Sequence, residues 1–223
     1  MHFMFFALCF IIEIMEEKLT ITAIQPQKRK KDRYNIYADG EYMASLGAEA
    51  VVRIGLKTGG SITQSELDNA VLKDNIQYAF DSAAALIAHS MRTRGELVER
   101  LREKGIAEAA IEPAMDKLAS YGYVDDAAYA KEFVQSAVST GRWGRIAVSH
   151  RLKEKKLERA VIDHALLAYT EEDELRNARR QLQALMPKNT DDKRKLRQKA
   201  FAALTRHGYT YDIISTLFSE ADE

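Results

Sequence analysis

Apolar positions along this chain follow two rhythms, and the change from one to the other divides it. Residues 18–24, KLTITAI, alternate polar and apolar with β-branched enrichment, the pattern of a half-buried strand. A second alternating run, Tyr34, Ile36, Tyr37, Tyr42 and Met43, is split by Asp39-Gly40. Asp-Gly between such runs predicts a type I′ hairpin, because that turn needs positive φ at both central positions. After Gly59-Gly60 the rhythm becomes helical. Thr63-Gln64-Ser65-Glu66 forms a capping-box pattern that opens a long Ala-rich helix running into the His89 region.

Thr93-Arg94-Gly95-Glu96 is a second capping box and starts a helix carrying Leu97 and Leu101, with Gly105 as its left-handed cap. A helix over Ile111–Leu118 follows, then a stop at Tyr121-Gly122-Tyr123. Asp125 or Asp126 caps a third helix through Tyr129, Phe133 and Val134. The pattern then repeats. Leu97, Leu101, Ile111 and Met115 align with Val148, Leu152, Ile162 and Leu166, and again with Ala200, Leu204, Ile214 and Phe218, at offsets of 51 and 52 residues. Such a unit has too little apolar surface to close a core alone, so neighbours must stack.

The predicted fold class is thus mainly α: tandem three-helix repeats forming an elongated array, preceded by a small N-terminal extension containing a β-hairpin. The expected divisions are an apolar leader at 1–14, a β-rich region at 15–62, a connecting helix at 63–92, and repeats at 93–139, 140–187 and 188–223. The last repeat is expected to be truncated after two helices. Gly208-Tyr209 aligns with Gly105-Ile106, and Lys156-Leu157 fills the same turn in the middle copy.

Composition narrows the class. Only 3 prolines and 11 glycines interrupt 223 residues, which favours helices, and 46% hydrophobic content suffices for an ordinary core. One cysteine, Cys9, excludes an intramolecular disulfide and a thiolate metal cage, consistent with a cytoplasmic location. Residues 1–14, MHFMFFALCFIIEI, are too short for a membrane span, which needs about 20 apolar residues, and lack the basic region and cleavage site of a secretory signal. The preferred reading takes Met15 as the initiator and residues 1–14 as a mis-assigned start. A short interfacial anchor or an extra element packed on the core are the alternatives.

No catalytic constellation emerges, and no cofactor or metal is expected. His2, His89, His150, His164 and His207 are scattered, without an H-E-x-x-H, Walker A, dinucleotide-type glycine loop or G-x-S-x-G. His150 and Glu154 share a helix face at i, i+4, but without a third ligand they read as a surface pair. Glu171-Glu172-Asp173-Glu174 reads as N-terminal charge for a helix.

Local basic stretches point instead to a binding protein. Formal net charge is zero, so any polyanion contact must come from patches. Residues 142–159 carry Arg142, Arg145, Arg151, Lys153, Lys155, Lys156 and Arg159 against Glu154 and Glu158. Residues 188–206 repeat the surplus with Lys188, Lys193, Arg194, Lys195, Arg197, Lys199 and Arg206 against Asp191 and Asp192. Stacked repeats would bring both onto one side as a stripe, the footprint of a nucleic-acid or nucleoprotein binder. Solvated faces of amphipathic helices are the plainer reading of any single cation. Trp143, flanked by arginines, reads first as a packing anchor and second as a stacking platform. The cluster Lys28, Arg29, Lys30, Lys31 and Arg33 reads as a solvated loop tip.

Three segments together carry a family resemblance: Arg92-Thr93-Arg94-Gly95-Glu96-Leu97, Gly122-Tyr123-Val124-Asp125-Asp126-Ala127-Ala128-Tyr129-Ala130 and Gly141-Arg142-Trp143-Gly144-Arg145-Ile146. They resemble the RecX family of regulatory proteins, modulators of the RecA recombinase, over about residues 60–223. Ser90 departs from the arginine many members carry there, and Lys156 from a glycine often seen in the repeat-two turn. The resemblance implies a non-enzymatic monomer that lies in the groove of a RecA–single-stranded DNA filament and mostly inhibits it, dampening strand exchange, ATP hydrolysis, co-protease activity and the SOS response. Candidate contacts are Arg92, Arg94, Arg142, Trp143, Arg145, Arg151, Lys153, Lys155, Lys156, Arg159, Lys193, Arg194, Lys195 and Arg197. The same residues could touch DNA directly, and a helix-turn-helix DNA-binding regulator is the alternative function.

Overall fold

The structure, a computed structural model, describes residues 18–28, 32–185 and 193–220, with nothing beyond the backbone for Lys193 and Glu220. The apolar leader, Met15, the basic residues Arg29, Lys30 and Lys31, and Lys188 lie outside the described residues. The chain divides into two compact units. One comprises the described residues up to Ser82 together with Leu101–Lys117, the other Ala83–Arg100 together with the described residues from Leu118 onward.

In the first unit, β1 (Lys18–Pro26), β2 (Arg33–Ala38), β3 (Glu41–Gly47) and β4 (Ser61–Thr63) form an antiparallel sheet in the order β3-β2-β1-β4. The hairpin turns at Asp39 and Gly40, at φ 49 and 87, as the Asp-Gly signal requires. Ile21, Ile36 and Leu46 bury one face of the sheet, with Leu67 and Ala70 from the helix that follows.

Two elements were not predicted: β4, too short to alternate visibly, and α1 (Ala48–Arg53), a six-residue helix after β3. Arg33 is a correction of another kind. It begins β2 rather than capping a solvated loop, and its guanidinium pairs with Asp74 at 3.0 Å and donates to the Ser45 carbonyl at 2.9 Å. Asp74 also accepts from the Gly47 N–H at 3.1 Å, so one carboxylate fastens the end of the sheet to the helix.

That helix is α2 (Gln64–Ile87), closed at its start by the expected box: Glu66 N–H to Thr63 Oγ1 at 3.2 Å, and Thr63 N–H to Glu66 Oε2 at 2.9 Å. Then come α3 (Arg94–Glu103), α4 (Glu108–Ser120), α5 (Asp126–Thr140), α6 (Arg145–Glu154), α7 (Arg159–Leu166), α8 (Glu171–Leu185), α9 (Lys193–Arg206) and α10 (Tyr211–Glu220). Asp125 is the cap of α5, accepting from the Ala128 N–H at 2.8 Å. All twelve residues of the repeat alignment are buried, so the periodicity marks core rather than surface.

The packing phases the repeats differently from the spacing. One core cluster joins Val134 of α5 to Val148 and Leu152 of α6 and Ile162 of α7. Another joins Leu182 of α8 to Leu204 of α9 and Ile214 and Phe218 of α10. Each packed unit therefore runs long helix, short helix, short helix, one helix earlier than the boundaries 93–139, 140–187 and 188–223. The last unit is a full three-helix body once α8 is counted in it. Spacing fixes the length of a repeat but not where it begins, because every frame of a tandem array has the same period.

Candidate nucleic-acid and partner interface

Successive repeats are joined by one recurring contact. At the first junction the Thr93 hydroxyl donates to the Lys155 carbonyl; at the second, the Gly144 N–H donates to the His207 carbonyl at 2.9 Å. Thr93 and Gly144 occupy equivalent positions at the head of a short helix. Lys155 and His207 each precede a left-handed residue, Lys156 at φ 62 and Gly208 at φ 78. The turn of one unit thus seats on the helix start of the unit before it. The fit is close: a Cβ on Gly144 would stand 2.4 Å from the Gly208 carbonyl oxygen, and a Cβ on Gly208 2.3 Å from the Ala147 nitrogen. Sequence reasoning assigned Gly208 to a cap and missed this docking.

Buried polar groups complete the junctions. Asp126 accepts from the Arg94 N–H at 2.8 Å, and Glu174 from the Arg145 N–H at 3.0 Å, so each carboxylate closes the exposed start of a short helix. Burial pushes both carboxyl groups above their ordinary pKa, against the lowering effect of those N–H groups. Glu174, read from sequence as helix-end charge, is one of the few buried charged residues. Tyr209 donates its hydroxyl to the Gly141 carbonyl at 2.8 Å, Tyr169 to the Trp143 carbonyl at 2.9 Å, and Asn177 Nδ2 to the Val138 carbonyl at 2.9 Å. Tyrosine at position 209, where the two earlier copies carry Ile106 and Leu157, was the available signal for a polar anchor.

The junctions also sort the nominated cations. Arg145 spends Nη1 on the Tyr169 carbonyl at 2.6 Å. Lys155 is bound to Glu96 at 2.7 Å, a hydrogen bond that raises its pKa, and Lys156 reaches Glu99 at 3.7 Å. Arg159 pairs with Asp163 at 3.4 Å. Arg94 is engaged within the protein, as are Lys195 and Arg197, the last lying 4.9 Å from the Phe218 ring. Arg92 buries its Nε beside Lys155, whose pKa it lowers. Lys193 begins α9. Lys153 and Arg194 are exposed.

Arg142 and Arg151 are a different case. Their guanidinium carbons lie 5.0 Å and 3.8 Å from the centre of the Trp143 ring, whose edge meets His207 at 5.7 Å. Trp143 packs against the second-repeat core as expected of an anchor, and it orders two cations at the surface as well.

Chemically the arrangement offers cations, hydrogen-bond donors and an aromatic ring, not an acid–base pair beside a nucleophile. His150 and Glu154 form the exposed pair expected of them, at 3.3 Å. Among the described residues no group of three His, Cys, Asp or Glu side chains could hold a metal ion, and no helix is long and apolar enough to cross a membrane.

A small antiparallel sheet followed by tandem three-helix units defines a helical repeat protein. Comparison with known proteins gives the class its family. Residues 19–63 match the Regulatory protein RecX N-terminal domain, and residues 79–118, 125–166 and 171–218 match the first, second and third three-helix domains of RecX. These ranges group the helices as the core clusters do. Regulatory protein RecX of Clostridium acetobutylicum is 31% identical over 215 residues, 92% of this chain and 99% of the relative. That of Listeria monocytogenes is 29% identical over 204 residues, 91% and 76% respectively. A crystal structure of regulatory protein RecX superposes with a TM-score of 0.63 at 26% identity, covering 90% of this chain and 99% of the other. RecX from Lactobacillus salivarius gives 0.61 at 25%, covering 67% and 98%. The chain belongs to the RecX family of regulatory proteins.

Proposed function

We propose that this protein binds a RecA recombinase, and the filament that recombinase forms on single-stranded DNA, and mostly inhibits it, lowering strand exchange, ATP hydrolysis and co-protease activity. It acts in the cytoplasm as a monomer, without cofactor or catalytic step. The observation that best supports this reading is the pairing of docked repeats with arginines around Trp143 that meet no carboxylate among the described residues, which suits a surface made of protein and nucleic acid together.

Seven of the nominated cations are engaged within the chain: Arg94, Arg145, Lys155, Lys156, Arg159, Lys195 and Arg197. Under this reading Arg142, Trp143, Arg151, Lys153 and Arg194 are the strongest contacts.

The test is co-sedimentation with preassembled RecA–single-stranded DNA filaments. Saturable recovery in the pellet, reduced by Arg142→Glu with Lys153→Glu, supports the proposal. Recovery only with DNA carrying a selected palindromic site would favour a sequence-specific DNA-binding regulator instead.

A further inference from the structure

The sheet-bearing unit holds a cleft of about 480 Å³ between the turn that follows α1, strand β4 and the first turns of α2. That is the size of a pocket for a small molecule. Its floor is apolar and buried, made by Ile21 of β1, Ile62 of β4 and Ala70 of α2. Its rim is cationic. Arg53 ends α1, Lys57 stands in the turn and Lys73 lies further along α2, so three elements each bring one positive charge to one cleft.

Those charges are not answered from within. None of the three pairs with a carboxylate among the described residues. Glu66, the one carboxylate in the lining, is occupied by the Thr63 N–H at 2.9 Å. The turn is also held in place. The Ile21 N–H donates to the Gly60 carbonyl and the Gly59 N–H to the Ile21 carbonyl, both at 2.8 Å, which ties it to β1. The Ala50, Val51 and Val52 carbonyls at the end of α1 accept from Ile54, Leu56 and Gly55, so the negative end of that short helix is satisfied. The cleft therefore stands open and positively charged without any rearrangement.

We propose that this cleft binds a nucleoside polyphosphate, with Arg53, Lys57 and Lys73 on the phosphates and the base over the floor of Ile21, Ile62 and Ala70. A single carboxylate would satisfy one of the three cations, whereas a chain of phosphates can meet all of them. An apolar floor beneath a cationic rim suits a ligand that joins a flat ring to a polyanion. Asn69 and Ser61, also in the lining, supply hydrogen bonds for ring nitrogens or ribose hydroxyls. This binding requires neither recombinase nor DNA and so goes beyond the filament reading.

The test is calorimetric titration of the full-length protein with ATP, and separately with pyrophosphate and with adenosine, while the isoleucine methyl signals are followed by NMR. The expected result is saturable binding of ATP that weakens as salt rises, with each half of the ligand binding more weakly than the whole. The Ile21, Ile54 and Ile62 methyl signals, all in the lining, shift with the same saturation curve. Lys57→Gln with Lys73→Gln weakens ATP binding by about tenfold or more, and Lys57→Arg with Lys73→Arg keeps most of it. Lys131→Gln, on α5, changes nothing. Both cleft lysines are exposed, so unfolding curves of these variants should match the parent.

No heat and no methyl shift, or equal affinity in the Gln double variant, would overturn the site. Pyrophosphate binding as tightly as ATP would overturn the nucleoside and leave a bare polyphosphate as ligand. Shifts confined to isoleucines outside the cleft would place ATP elsewhere and overturn the assignment. Each of these results leaves filament co-sedimentation unaffected, so the two readings fail separately.

Discussion

The backbone of Gly95 lies directly against Lys156: a Cβ on Gly95 would stand 2.3 Å from the Lys156 Cβ and 2.9 Å from its carbonyl oxygen. Gly95 sits in the first turn of α3, where glycine ordinarily costs stability relative to alanine. Here it is needed so that the turn of the next repeat can seat. Gly95→Ala should therefore destabilise the protein by about 1–3 kcal/mol through overpacking. Urea unfolding checks this, and a gain in stability would mean the two backbones are not in contact.

Lys156 itself holds a left-handed conformation that glycine adopts without cost. Lys156→Gly loses an exposed ion pair with Glu99, worth little in water, and the contact of the Lys156 Cβ with the Gly95 backbone. The variant should be more stable by up to about 1 kcal/mol.

Gly105 and Gly208 occupy the same position in their repeats, both with positive φ, but a Cβ on Gly105 would meet nothing within 4 Å while one on Gly208 would strike Ala147. Gly105→Ala should cost about 1 kcal/mol, the conformational penalty alone. Gly208→Ala should cost clearly more, about 2–4 kcal/mol, because the junction must open as well. Equal losses in thermal or urea unfolding would contradict the docking.

Much of this fold is written locally. Asp39-Gly40, the two capping boxes and the period of buried Leu and Ile positions each depend on residues within one turn or one helix, where spacing alone carries the geometry. The junctions are not local. Thr93 meets Lys155 62 residues away, and Tyr209 reaches Gly141 over 68, so no window of sequence contains both partners. The basic stretches were legible as counts of charge, but a count does not separate Lys155, answered by Glu96, from Arg142 and Arg151, which flank Trp143 with no carboxylate partner among the described residues.

Asp126 gives the junction a pH signature. Burial, the largest effect, and the like charges of Asp125 and Glu158 raise its folded pKa, while the Arg94 N–H lowers it. The folded state therefore keeps a proton that the unfolded chain has released. Its contribution to stability is full below the unfolded pKa and is lost as pH rises through the folded value. Asp126→Asn keeps an oxygen for the Arg94 N–H but cannot ionise. It should match the parent in acid and exceed it at neutral pH, and a variant less stable at neutral pH would refute this balance.

Lys155 is nominated by sequence as a contact residue, yet it is held by Glu96 and its own pKa is raised by that hydrogen bond. Its stabilising effect is present below the unfolded lysine pKa and lost as pH rises through the folded one. Lys155→Met should lower stability by about 0.5–1 kcal/mol, a partly exposed pair being screened, and leave filament inhibition unchanged. Lost inhibition with unchanged stability would return Lys155 to the interface.

Whether this chain restrains a recombinase filament is decided by single-stranded-DNA-dependent ATP hydrolysis of RecA from the same organism, titrated with this protein. Suppression should deepen with added protein and be weakened in the Arg142→Glu, Lys153→Glu variant. Undiminished hydrolysis at saturating protein, with no co-sedimentation, would contradict it.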